Sequence, residues 1–304
     1  MLNIQNAENA LKQVYLDVIS NQLNNIDGFL SMVEKTTKDV WGKEIRIFVD
    51  KIEEDKFIAD DKYLIAVQDL ANIYGHIQLS DKAIRVAEAS ASAFVNLLND
   101  EIENMLKYTK EHIINATYGE DSMREYYPKD YEKNLLVLSG LKEVFDTKKK
   151  TLYGIDRKKY NFNPIIKTIK EINTFEIEQF IDENNSEVNF LICSPNTKRK
   201  IQEFMSSHCQ NINMKELPDG YYYMEFNKNI VIQTYKYMND NEIWLVNSND
   251  FKFHQLCDWR WLEDEEGHIL RMQKDKPFYN ATLVKYGNLV CHNPSRQVKI
   301  IIGE

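Results

Sequence analysis

Four groups of residues in this 304-residue chain have types and spacings that bear on chemistry. Pro218-Asp219, followed by Glu225 and Lys228, offers the acidic pair and lysine of a metal-dependent nuclease core. Such a core needs Glu-x-Lys on one strand face, and the step from Glu225 to Lys228 turns the two side chains to opposite faces. The run Glu263, Asp264, Glu265, Glu266 has oxygens suited to a hard cation. Directly before Gly267, the same carboxylates also make an ordinary solvated turn between strands. His208-Cys209 and Cys291-His292 each supply two metal-ligand types, without the paired loop spacing of a zinc site. Lys148, Lys149 and Lys150 form one short basic patch of the kind that most often lies in a solvated turn.

Other catalytic signatures are missing from the sequence. The ten glycines are widely scattered, which excludes glycine-rich phosphate loops of the P-loop and dinucleotide-binding kinds. HExxH, GxSxG and CxxC do not occur. No catalytic residue, cofactor or metal ligand is expected, and the chain reads as a non-enzyme.

Composition narrows the class further. At 43% hydrophobic and 28% charged residues the chain can fold around a sizeable core, as one large domain or two closely joined ones. The net charge of −9 argues against a large DNA-gripping surface, since non-specific nucleic-acid binding runs on clustered Lys and Arg. No apolar run approaches the ~20 residues of a bilayer span, and MLNIQNAENALKQ is unlike a signal peptide, so synthesis in the cytosol and no membrane partner are expected. Cys193, Cys209, Cys257 and Cys291 are far apart and read as reduced thiols.

These residues must be carried by elements that the patterning predicts. Ala7, Leu11, Val14, Tyr15, Val18 and Ile19 give an amphipathic N-terminal helix ending at NNIDG. From Gly42 the pattern alternates, with Ile45, Ile47 and Val49 on one face and Glu44, Arg46 and Phe48 on the other. Together with Tyr63 to Leu70 and Ile73 to Leu79, residues 42–79 read as an extended hairpin with an acidic tip. Ser80 suits the N-cap of the short helix that follows. Phe94, Leu98, Ile102, Met105, Thr109 and Ile113 then mark a helix over about 92–118, stopped by Gly119. Residues 120–163 read as loops with short elements, and Thr174 opens a helix to about Asp182. Val188 to Cys193 is a strand, and Ser194-Pro195 has the chemistry to start a helix ending near Met205. From Tyr221 onward YYYMEF, IVIQTYKY, EIWLV, FKFHQL, HILRM, FYNATLVKYGNLVC and VKIII are all strand-like.

Three stretches carry a resemblance to a known family. IYGHIQLSDKAIRVAEASASAFVNLLNDEIENMLKYTKEHIINATYG is similar to the strand, turn and spine helix of the major capsid proteins of tailed bacteriophages, which have the Hong Kong 97-type fold. LICSPNTKRKIQEF resembles the strand, Ser/Asn-Pro turn and helix of that family's axial domain. EIWLVNSNDFKFHQLCDWRWLEDEEGHILRM and YNATLVKYGNLVCHNPSRQVKI resemble its C-terminal strands.

The resemblance implies an α+β fold with an N-terminal arm at 1–41 and an extended E-loop at 42–79. It implies a peripheral domain at 80–139 and 252–292, and an axial domain at 140–251 and 293–304. It implies a shell subunit that assembles with itself as pentamers and hexamers around double-stranded DNA, without sequence-specific binding. A separate scaffolding protein and a portal are the other implied partners, because only about 41 residues precede the E-loop. The implied place is the virion, assembled in the host bacterial cytoplasm. The inter-subunit contact is expected on the E-loop, at Phe48, Ile52, Asp55, Lys56, Phe57, Ile58, Asp60 and Asp61. A head or tail accessory protein, or a metal-dependent hydrolase, are the other classes considered.

Overall fold

Buried side chains of the N-terminal segment fall at four-residue steps, Ala7, Leu11, Ile19 and Leu23, with Tyr15 packed partly against the same core. That spacing is wider than the 3.6 residues of a regular turn. In a computed structural model describing residues 4–50, 63–87, 90–119, 138–183, 187–208, 211–227, 229–272 and 276–303, the backbone accommodates it. Helix α1 (Ile4–Ala10) passes through a π-helical stretch, Leu11–Tyr15, into α2 (Leu16–Asn24). The wider π turn keeps the stripe facing inward. It also corrects the expected apolar face, because Val14 and Val18 end up 64% and 54% exposed.

Asp27 caps α3 (Gly28–Met32), its side chain accepting from Leu30 N at 2.8 Å. Strand β1 (Glu34–Thr36) follows, parallel to the later strand Phe251–Trp261. Next come β2 (Val40–Trp41), β3 (Glu44–Asp50) and β4 (Tyr63–Asp69), which form a three-stranded antiparallel sheet of their own. The expected hairpin of 42–79 is shorter than the sequence suggested. β5 (Ala71–Ser80) leaves it and pairs with Phe278–Cys291 along its length. The reason lies in its side chains. Ala71, Ile73, Ile77 and Leu79 are buried, and a strand with one fully buried face belongs in a sheet that another layer covers.

That layer is the long helix. After α4 (Asp81–Ala87), where Ser80 Oγ accepts from Ala83 N at 3.1 Å, α5 (Ala91–Tyr118) runs 28 residues, about 40 Å. All six residues of its predicted stripe are buried. Gly75 lets α5 lie close to β5, since a Cβ there would stand 3.0 Å from the Met105 sulfur.

Short elements α6 (Leu141–Phe145), β6 (Thr151–Leu152) and β7 (Ile155–Asp156) lead to β8 (Ile165–Ile169). Then come α7 (Thr174–Glu183), β9 (Phe190–Cys193), α8 (Pro195–Ser207), β10 (Met214–Glu216), β11 (Tyr222–Asn227), β12 (Ile230–Thr234) and β13 (Glu242–Val246). The chain ends with β14 (Phe251–Trp261), β15 (Arg271–Met272), β16 (Phe278–Cys291) and β17 (Val298–Ile302). Only the end of the expected HILRM strand is a strand. The N–H groups of Ile269 and Leu270 go instead to the buried Glu8 carboxylate, at 2.6 and 2.9 Å, which docks α1.

Two large sheets result. One runs β1-β14-β16-β15 with β5 also on β16; the other runs β10-β11-β12-β9-β13-β17-β8. The centre of the second sheet is buried on both faces. Phe190, Ile192, Trp244 and Val246 pack toward the first sheet and the N-terminal helices. Leu191, Cys193, Ile243 and Leu245 pack under α7 and α8 with Ile177, Ile201 and Met205. Period-two alternation sends successive residues of one strand to these two cores.

Ser194 carries the start of α8, accepting from Thr197 N at 3.1 Å and contacting Asp240. Ser194→Ala is expected to lower unfolding stability by about 1 kcal/mol, read as a lower urea midpoint at unchanged slope.

Candidate assembly surface

The hairpin β3–β4 has two unlike faces, set by its register. On one face Ile45 lies opposite Gln68, Ile47 opposite Ala66 and Val49 opposite Leu64. Ile45, Ile47, Val49 and Ala66 are buried in the main core, and Val67 N donates to Tyr153 O at 2.9 Å, tying the hairpin to the β6–β7 turn. On the other face Arg46 lies opposite Val67 and Phe48 opposite Ile65, with Tyr63 at the end of the row. Phe48 is 69% and Ile65 56% exposed, and the Phe48 and Tyr63 rings meet edge to face at 6.2 Å. Trp41, on the adjoining β2, is exposed as well. A row of large apolar side chains left in water is the kind of surface through which proteins associate, which makes this face the candidate.

Of the expected contact residues, Phe48 lies in this row. Ile52, Asp55, Lys56, Phe57, Ile58, Asp60 and Asp61 fall outside the described residues. Sequence reasoning missed Tyr63, Ile65, Val67 and Trp41. Their signal was present: in YLIAVQD both alternating sets are apolar, which a hairpin with only one covered face does not need.

The other candidates are dispersed. Asp219 accepts from the Tyr223 hydroxyl and from Tyr221 N at 3.0 Å, while Lys228 lies outside the described residues. The run Glu263–Glu266 is a turn closed by Gly267 at positive φ, and Lys12 pairs with Glu263 at 2.8 Å. Lys149 and Lys150 pair with Glu143 and Asp156 at 3.2 and 3.8 Å. Cys291 is buried, and Cys209 lies outside the described residues. His292 Nε2 stands 3.2 Å from His254 Nε2; burial, then the neighbouring His254, holds the His292 imidazole down at about 4. Among the described residues no three His, Cys, Asp or Glu side chains converge as a metal site.

One acidic group does stand in an unusual place. Asp27 is buried, accepts from the Tyr118 hydroxyl at 2.7 Å, and neighbours Tyr223, whose hydroxyl accepts from Gly28 N at 3.0 Å. Burial, reinforced by the nearby Asp219 charge, raises its pKa to about 6 against the hydrogen bonds from Leu30 and Tyr118. A folded-state value above the unfolded 3.8 means stability that is present below about pH 4 and lost as pH rises through about 6. Asp27→Asn, which keeps a carbonyl for the cap, is expected to remove that fall, up to about 3 kcal/mol, in urea titrations across the window.

Comparison with known proteins follows the same geometry. No family model matches the chain, and no curated protein matches its sequence. Solved structures do match. The chain is similar to a subunit of the cyanophage A-1(L) capsid, at 12% identity and TM-score 0.60 over 94% of this chain and 93% of that one. It is similar to the holo-SrpI encapsulin complex from Synechococcus elongatus PCC 7942, at 11% identity and TM-score 0.56 over 90% and 86%. It is similar to the capsid of a native GTA particle, at 10% identity and TM-score 0.52 over 92% and 91%. Near-complete coverage in both directions identifies the fold as the α+β, Hong Kong 97-type fold.

Proposed function

We propose that this chain is the major capsid protein of a tailed bacteriophage, a non-enzymatic subunit that assembles as pentamers and hexamers into an icosahedral shell around double-stranded DNA. The observation that carries the reading is the hairpin β3–β4. One of its faces is held in the subunit core while the other presents Phe48, Tyr63, Ile65 and Val67 to water. In a shell subunit that outer face meets apolar surface on the neighbouring copy. Many modest contacts of this kind act together once a ring closes, so no single one must be tight.

The domain division implied by the resemblance is part of the proposal. In this reading residues 1–41 are the N-terminal arm and strands β3 and β4 belong to the E-loop. The α5 helix and the sheet of β14 and β16 form the peripheral domain, and the seven-stranded sheet with α7 and α8 the axial domain. The net charge of −9 suits a wall along which packaged DNA slides without being gripped by its phosphates. Among the described residues no helix is long and apolar enough to cross a membrane. Scaffolding and portal proteins complete the partner set, and the virion is the place of action.

Negative-stain electron microscopy of the purified chain, alone and co-expressed with a scaffolding protein, tests the reading. Closed shells, tubes or hexagonal sheets are the expected result. Uniform small particles under every condition would replace it with an accessory head or tail protein.

A further inference from the structure

Lys285 projects from β16 under α2, and its side chain is only 3% exposed. Its ammonium lies over the rings of Phe253 and Trp259, 5.2 and 5.6 Å from their centroids. Nζ donates to Asn24 Oδ1 at 2.7 Å and to Asp258 Oδ1 at 2.9 Å. Asn24 Nδ2 in turn donates to both Asp258 oxygens at 3.1 Å. A desolvated amine, a carboxamide and a carboxylate that touches both nitrogens are the reactants and the proton carrier of an acyl transfer. A small apolar cavity lined by Leu23, Ile26, Leu30 and Ile113 adjoins them.

We propose that Lys285 and Asn24 join in an intramolecular isopeptide bond, with Asp258 carrying the protons, so that α2 is stapled covalently to β16. Burial, opposed by Asp258, lowers the Lys285 pKa and favours the neutral amine that the attack requires. Asp258 takes a proton from Nζ, and the amine lone pair forms a bond to Cγ of Asn24. The adduct collapses as the Cγ–Nδ2 bond breaks, its electron pair leaving with nitrogen. Nζ gives up two protons in all, relayed by Asp258, and Nδ2 departs with them as ammonium. An ammonium and a carboxamide thus become a secondary amide and a free ammonium ion, and the carboxylate is restored. No oxidant or activating group enters the balance. Pre-orientation by the fold supplies the effective concentration that an unactivated carboxamide needs.

Intact-mass spectrometry of the full, folded chain decides the matter. The expected mass is that of the sequence less one ammonia, and a protease digest is expected to yield a branched peptide joining Asn24 to Lys285. Lys285→Met and Asp258→Ala chains are expected at the full sequence mass. A wild-type chain at full mass, with a folded circular-dichroism spectrum, would leave only an ion pair and overturn the proposal. Loss of ammonia without the branched peptide, persisting in Lys285→Met, would mean a succinimide at Asn24 and would overturn it equally. The wild-type digest gives its answer whether or not the variants fold, and none of these outcomes depends on shell formation.

Discussion

Changing Phe48 and Ile65 together to aspartate is expected to abolish assembly and leave the subunit folded. The two side chains face each other across β3 and β4 on the exposed face, so the subunit loses little core packing when they are replaced. An apolar side chain of this size contributes roughly 1.5–3 kcal/mol when an interface covers it. A carboxylate in its place must be desolvated without a partner, which reverses the sign of the contribution. In the proposed ring each subunit would repeat the penalty, so even a modest loss per contact is multiplied. Sedimentation velocity and electron microscopy would report small species, with circular dichroism unchanged. Ile47→Asp is the counterpart on the buried face and is expected to unfold the subunit itself. Shells of normal yield from the double variant would remove the hairpin face from the list of contacts.

Phe29→Ala is expected to cost about 3–5 kcal/mol, the usual range for deleting a fully buried phenylalanine, and so a large share of the roughly 5–15 kcal/mol that holds a domain folded. Phe29 follows the capped turn at Asp27, and its ring meets Phe190 at 5.6 Å and Phe251 at 5.5 Å, both near-perpendicular, with Tyr118 at 6.3 Å. Those four residues come from α3, β9, the start of β14 and the end of α5. One side chain therefore joins the N-terminal helices to both sheets and the long helix, and its loss opens a cavity where all of them meet. Urea denaturation followed by tryptophan fluorescence measures the change. A cost below about 1 kcal/mol would show that the junction repacks around the void.

Local patterns in the chain were enough to find most elements. The α5 stripe from Phe94 to Ile113, the Ser80 and Ser194 caps, the Pro195 start and the alternation of Ile45, Ile47 and Val49 all correspond to structure, because helix and strand periodicity and capping depend on neighbours within a few residues. The resemblance in three ordered stretches pointed to the Hong Kong 97-type fold, which the comparisons then identified. The π-helical stretch at Leu11–Tyr15 was missed, since its signal is one extra residue in a stripe that already looks amphipathic.

The remainder depended on partners far away in the chain. Ala71–Ser80 has the composition of a third hairpin strand, and only the presence of β16 on one edge and α5 over one face draws it into the other sheet. Ile269 and Leu270 look like strand residues until the Glu8 carboxylate, about 260 positions earlier, takes their N–H groups. Asn24, Asp258 and Lys285 are unremarkable singly, and meet through hydrogen bonds only when the end of α2 is laid against β14 and β16. Local periodicity and capping account for most of the helices and strands, and composition for the acidic, aromatic-rich character of the chain. Tertiary structure alone decided which strand edges pair and which polar groups meet. Those choices minimise buried unpaired groups and exposed apolar area over the whole molecule, and no local window contains that information.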